Sequence, residues 1–296
     1  YTPEEIISRL ELKPVTQYQS EIISSPLEPS VVIAGAGSGK TETMSNRVLY
    51  LVANGFVTPD QILGLTFTRK AAGELSVRIR KRLRQLAAHK DFKHIVSTST
   101  SVTTYHSYAG KLLSEHAIRY GIDADAEPLG EAAIWQIASD VVRNWSDDSY
   151  RNQSAVSTVI KDLLGLSKLM LEHQVKAEDI ERIGNEVLSA LAPLQGASNG
   201  EVRDVAKAMR QRNSLLPMVE TFMQRRKAAG EFSFDDQMSL AADIAQNFED
   251  VGVLERGKYK VVLLDEYQDT SQSQVRMLSS LYGGGHPVMA VGDPSQ

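Results

Sequence analysis

The sequence predicts an α/β protein in which a largely parallel sheet is interrupted by an all-helical insertion. Two observations carry this. Four short apolar runs, Val31 to Ala34, Ile62 to Leu65, Val261 to Leu264 and Val288 to Val291, each lead into a polar or glycine-led motif. The runs are continuous rather than alternating, which suits strands covered on both faces, and open α/β sheets place their chemistry beyond the carboxyl ends of such strands. Between roughly 111 and 230 the apolar spacing becomes helical, as in Ile134, Ile137, Ala138 and Val141, then Val156, Val159, Ile160, Leu163 and Leu164.

Taken in order, residues 1–110 form the first part of the α/β domain, 111–230 the helical subdomain, and 231–296 the second part of the α/β domain. Within the insertion the stripes continue through Ile180, Ile183, Val187 and Leu191, then Val202, Val205 and Met209, then Leu215, Leu216, Val219, Phe222 and Met223. "APLQGASNG", Ala192 to Gly200, is its clearest loop. "STSTS", Ser97 to Ser101, reads as a turn or surface segment. "SFDD", Ser233 to Asp236, has the spacing of a helix capping box and marks where the α/β domain resumes.

Composition bounds the function. With 296 residues, 42% hydrophobic and 23% charged, the chain can bury a large core, and its length suggests about two domains. It has no cysteine, which excludes disulfides and thiolate metal sites and fits a reducing cytosol, so a cytoplasmic location is expected. The six histidines lack ligand spacing. No apolar stretch is long enough to span a bilayer. The net charge of −5 is unevenly spread: Arg69 to Lys93 holds nine Lys or Arg against Glu74 and Asp91, a local +7, so the remainder carries −12. Such a segment reads either as a phosphate-facing stripe or as a solvated helix face.

The chemistry is carried first by "VVIAGAGSGKTETM", residues 31 to 44. A phosphate-binding loop needs glycines so that successive N–H groups can turn inward, a lysine to reach the β and γ oxygens, and a hydroxyl to hold magnesium at the start of a helix. Ala34, Gly35, Ala36, Gly37, Ser38, Gly39, Lys40 and Thr41 supply these, with alanine at the motif's first position. Second, "VVLLDEYQDT" puts Asp265 and Glu266 just past an apolar run. Adjacent acids there divide labour, the first holding magnesium and the second positioning and deprotonating a water, so hydrolysis is the natural reaction. ATP and Mg²⁺ are the implied cofactors.

These motifs together resemble the superfamily 1 DNA helicases of the UvrD/Rep type, over nearly the whole chain. "TQYQSEII" resembles the family's Q motif, with Gln19 lying 21 residues before Lys40 and implied to read the adenine edge. "AGAGSGKT" matches motif I, "DEYQDT" motif II, and "AVGDPSQ" the start of motif III, whose Gln296 is implied to sense the γ-phosphate. "LTFTRKAAGEL" is similar to motif Ia and implies DNA contacts for Phe67, Thr68 and Arg69, where asparagine is usual at the last of these. "TTYHSYAGKLL" resembles motif Ib and implies that Thr104, Tyr105 and His106 lie along the DNA path, Tyr105 offering a stacking face. Arg78 falls where the family has a nucleotide-contacting arginine. Glu42 is a departure, because the family often has an arginine there that packs on the base.

The resemblance implies a RecA-like motor domain with its helical insertion, translocating 3′ to 5′ on single-stranded DNA in repair or recombination. Single-stranded DNA and duplex junctions are the implied partners, with no membrane. "FSFDDQMSLAADIA" and the ending "YGGGHPVMAVGDPSQ" look most like two-subunit actinobacterial helicase–nucleases, which would add a second subunit in the full-length protein. The sequence stops within motif III, so it reads as the N-terminal motor half, expected to bind ATP with magnesium weakly, hydrolyse it slowly and fail to unwind duplex. Two rivals are a different P-loop enzyme and a non-catalytic DNA-binding module that uses ATP as a conformational ligand. No LSGGQ-type transporter signature is present, and a small kinase would not need the other motifs together.

Overall fold

The computed structural model describes residues 1–35, 37–92, 99–123, 126–146, 155–194 and 200–295. Its elements, in chain order, are α1 (Pro3–Arg9), α2 (Gln17–Ser24), β1 (Ser30–Ile33), α3 (Lys40–Ala53), β2 (Ile62–Thr66), α4 (Arg69–Ala88), β3 (Ser101–Thr104) and α5 (Tyr105–His116). They continue with α6 (Glu131–Arg143), α7 (Val156–His173), α8 (Ala177–Leu191), α9 (Gly200–Ala228), α10 (Phe234–Asn247), α11 (Glu249–Lys258), β4 (Val261–Asp265), α12 (Gln272–Tyr282) and β5 (Val288–Gly292). Two compact units result, one of Tyr1–Leu112 with Ala241–Gln296 and one of Leu113–Leu240.

The first unit is built on a five-stranded sheet of order β1-β5-β4-β2-β3. Every pairing is parallel, as the continuous apolar runs predicted. One face of the sheet, with Val32, Ile62, Val261, Leu263, Met289 and Val291, packs with Ile6 of α1, Met44 and Val48 of α3, and Leu75, Ile79 and Leu83 of α4. The alternate residues Leu63, Leu65, Val262 and Leu264 are buried on the other face. Strand β1 departs from two-sided coverage: it lies at the sheet edge, and Val31 and Ile33 are 61% and 70% exposed on the face away from α3. The sequence also gave no sign of β3, because "SVTT" at the opposite edge is only partly buried and carries no apolar run.

Register aligns the carboxyl ends that matter. Ile33 sits beside Gly292 and Asp265 beside Val291, so the segments after β1, β4 and β5 emerge side by side. The Ala34 amide extends this pairing by donating to the Gly292 carbonyl at 2.9 Å.

The second unit is helical. Its core joins Ala138, Val141 and Val142 of α6, Val159, Ile160, Leu163 and Met170 of α7, and Leu215, Leu216, Met218, Val219 and Phe222 of α9. The two apolar stripes read from 202 to 223 belong to one helix of 29 residues that continues through Pro217. The loop read at Ala192 to Gly200 begins as a 3-10 turn, Ala192–Leu194, and 195–199 lie outside the described residues. In the "SFDD" capping box the Ser233 amide donates to Asp236 Oδ2 at 2.6 Å and the Asp236 amide to Ser233 Oγ at 3.3 Å. Asp236 also forms a buried ion pair with Arg226, which ties the end of α9 to the start of α10.

Phe222 is fully buried at the centre of this helical core. Phe222→Ala is therefore expected to destabilise the helical unit by about 3–5 kcal/mol, measured as a lower urea midpoint at unchanged slope.

Candidate nucleotide-binding site

The loop after β1 turns through two glycines in the left-handed region, Gly37 at φ 75° and Gly39 at φ 89°. That conformation costs an L side chain strain that glycine avoids. At Gly39 space is limiting as well, because a Cβ would lie 2.9 Å from Gln19 Nε2. The Ser38 amide closes back on the Gly35 carbonyl at 3.3 Å, and Gly39 forms the N-terminal cap of α3, whose first residues are Lys40 and Thr41. A helix N-terminus opening from a glycine loop presents N–H donors and a positive dipole end, the elements that bind phosphate. Ala36 lies outside the described residues, as does Gln296.

Gln19 is fixed by its own helix cap. Its Oε1 accepts from the Thr16 amide at 3.1 Å, and its Nε2 donates to the Ser38 carbonyl at 3.1 Å. The amide thus braces the loop backbone from α2.

Lys40 Nζ donates to Glu266 Oε2 at 2.9 Å, joining the loop after β1 to the turn after β4. The lysine side chain is only 10% exposed and the glutamate 38%. Glu266 has left-handed backbone angles, φ 50° and ψ 45°, unusual for a non-glycine residue and a form of strain concentrated at functional sites. Burial pushes its carboxyl up, but the Gln268 amide and Lys40 outweigh this and hold it below the usual carboxylate value. It is ionised at neutral pH.

Asp265 has the opposite electrostatics. Burial, then the neighbouring Glu266 charge, push its carboxyl above the ordinary value, and its buried Oδ1 has no hydrogen-bond partner among the described residues. A buried unpaired carboxylate oxygen is costly, and a bound cation would satisfy it. Among the described residues no cluster of three or more His, Cys, Asp or Glu could hold a metal by itself.

Two residues were missed by sequence reasoning. Gln268 Nε2 donates to Glu266 Oε2 at 2.9 Å, and its Oε1 accepts from the Asp293 amide at 2.9 Å, so one side chain bridges the turns after β4 and β5. The Asp293 carboxylate stands 3.8 Å from where a Cβ on Gly35 would lie. Only tertiary contact reveals these roles; the sole hint was their place inside the two recognised motifs.

Glu42, the departure from the family pattern, is paired with both Arg78, at 3.0 Å, and Arg82, while Arg82 Nη1 donates to Asn46 at 2.7 Å. Arg78 is therefore brought to the first turn of α3 by an acid, one residue after Thr41.

The residues expected on the DNA path divide. Thr68, Arg69 and His106 are exposed and Phe67 is half-buried. Tyr105 is fully buried, its ring centroid 4.8 Å from that of Phe67 and its hydroxyl donating to the Asp265 carbonyl at 3.3 Å. The expectation that Tyr105 offers a stacking face is corrected: the ring is packed inside, where burial holds the phenol protonated. Thr104 is also buried, and its hydroxyl serves Ser107 as an N-terminal cap for α5.

A model of the UvrD/REP helicase N-terminal domain matches residues 15–296. The chain belongs to this family. The UvrD/REP relatives include the ATP-dependent DNA helicase UvrD1 of Mycobacterium leprae, 27% identical over 283 residues, which are 96% of this chain and 32% of that protein. The ATP-dependent DNA helicase PcrA of Staphylococcus epidermidis is 24% identical over 289 residues, 96% of this chain and 34% of its own. The ATP-dependent DNA helicase UvrD2 of Mycobacterium bovis is 29% identical over 287 residues, 94% of this chain and 36% of its own. The chain thus spans about a third of the length of the curated relatives it matches. The five-stranded parallel sheet fits the RecA-like α/β fold expected of this family. Among the described residues no helix is long and apolar enough to cross a membrane.

Proposed function

We propose that this chain is the ATP-binding part of a DNA-translocating motor, in which hydrolysis of ATP is coupled to single-stranded DNA and duplex junctions. The observation that carries the proposal is the 2.9 Å contact between Lys40 and Glu266, with the orphaned Asp265 oxygen beside it, at the carboxyl edge of the sheet. In this reading the amides of residues 35 to 39 and the Lys40 ammonium bind the β- and γ-phosphates. Thr41 and Asp265 would hold Mg²⁺, which when bound neutralises charge on the phosphate oxygens. Glu266, released from Lys40 by the incoming phosphate, orients the attacking water and accepts its proton. Gln268 holds the carboxylate in place, and Arg78 stands at the nucleotide with Glu42 setting its position. Gln19 and Gln296 belong to the same site, the former through the loop it braces.

Phe67, Thr68, Arg69 and His106 form the single-strand contact, with Thr104 and Tyr105 supporting it from inside. The Tyr105 hydroxyl on the Asp265 carbonyl gives DNA contact a direct route to the acidic strand β4. The helical unit Leu113–Leu240 is the subdomain inserted into the motor domain.

Glu266→Gln tests the assignment. It keeps the side chain's shape and an acceptor for Lys40 but removes the base, so the DNA-stimulated hydrolysis rate is expected to fall by about 10²- to 10⁴-fold while a fluorescent ATP analogue still binds. Unchanged hydrolysis would remove Glu266 from the reaction.

A further inference from the structure

Helix α4 carries a cationic face that the nucleotide site does not use. Its apolar side, with Leu75, Ile79, Leu83 and Leu86, is built into the core of the sheet unit, and Arg78 and Arg82 turn to Glu42. Arg69, Lys70, Arg80, Lys81 and Arg84 remain exposed. At 3.6 residues per turn these five fall within one arc of about 120°, and Arg69 to Arg84 covers about 22 Å along the axis. None of the five makes an ion pair among the described residues. Glu74 is the helix's one acid.

A merely solvated face gains nothing from this arrangement. Arg80 and Arg84, one turn apart, repel each other at a small cost to the helix, and mixed signs at that spacing would stabilise it instead. A polyanion relieves the repulsion. The chemistry also discriminates between polyanions. Single-strand sites combine cations with aromatic rings on which bases stack, and the exposed face of α4 has no aromatic residue, its one large apolar side chain being Val77. A straight, rigid row of cations fits the regularly spaced phosphates of a duplex, about one charge per 1.7 Å of axis.

We propose that the outer face of α4, through Lys70, Arg80, Lys81 and Arg84, binds the phosphate backbone of double-stranded DNA, with Arg69 at the junction between this face and the single-strand contacts. The surface reads no base sequence. It rests on the motor reading only for the identity of the polyanion, and Lys40→Ala, which tests the nucleotide site, leaves it untouched.

The experiment is an anisotropy titration of a short blunt duplex over a salt series, with the wild-type chain, the neutralised variant R80Q/K81Q/R84Q and the charge-keeping variant R80K/R84K. Removing three phosphate contacts is expected to flatten the slope of log affinity against log salt by about 2 to 3 and to weaken duplex binding at low salt at least tenfold. R80K/R84K should keep the wild-type slope, and affinities of the neutralised variant for an oligo-dT strand and an ATP analogue should stay within about twofold of wild type. All three substituted positions face solvent, so the variant's melting temperature should match that of the wild type. An unchanged duplex slope overturns the proposal. So does a parallel loss of oligo-dT binding, which would assign the face to the single strand.

Discussion

Lys40→Ala is expected to weaken binding of a fluorescent ATP analogue at least a hundredfold, about 3 kcal/mol or more, with the fold intact. The magnitude follows from the group removed. The ammonium is only 10% exposed, so its hydrogen bonds to phosphate form in a partly water-excluded site, where charge-assisted bonds are strong and loss of one partner costs about 2–5 kcal/mol. The fold survives because α3 is anchored by Met44, Val48, Leu49 and Val52 in the core, and because Glu266, left without the lysine, is exposed enough to stay solvated and keeps its bond to Gln268. Equal affinity of variant and wild type would leave the phosphate-loop reading without support.

Asp265→Asn is expected to move two observables in opposite directions. In the nucleotide-free protein the aspartate is costly: burial and Glu266 both disfavour its charge, and Oδ1 is unpaired. An acid whose value is raised by folding is more readily protonated in the native state, so its contribution to stability is greatest at low pH and is lost as pH rises through the folded-state value. At neutral pH the isosteric amide removes that cost, and the variant should be more stable by about 1 kcal/mol, a melting temperature a few degrees higher. The same change should abolish the effect of magnesium on nucleotide affinity, the readout being an ATP-analogue titration with and without the ion. A variant that loses stability would mean that the carboxylate makes a contact in the native state which the amide cannot.

The predicted reaction partners came from residue types whose physical demands are local. Glycines before a lysine and acids after an apolar run can be read without knowing the fold, and the parallel sheet then brings Lys40 and Glu266 together. What the sequence hid is what depends on partners far along the chain. Tyr105 carries the same aromatic signal whether its ring faces solvent or, as here, packs against Phe67. Gln268 acts through Glu266 on one side and the Asp293 amide on the other, a bridge that no spacing encodes. Strand β3 was illegible because an edge strand needs little apolar surface, and β1 was over-read for the converse reason: its apolar run suggested two buried faces where one is open. Glu42 was visible only as a departure. The arginines that take it up, at 78 and 82, sit one helical turn apart and could have been paired with it had the packing of α3 on α4 been known.

For the proposed reaction, the ion pair between Lys40 and Glu266 has a consequence for timing. The cation that grips phosphate and the anion that activates water are each other's resting partner, so a single exchange releases both. The carboxylate becomes free to work only once the lysine has been claimed by substrate, an interlock that restrains idle chemistry without any moving gate.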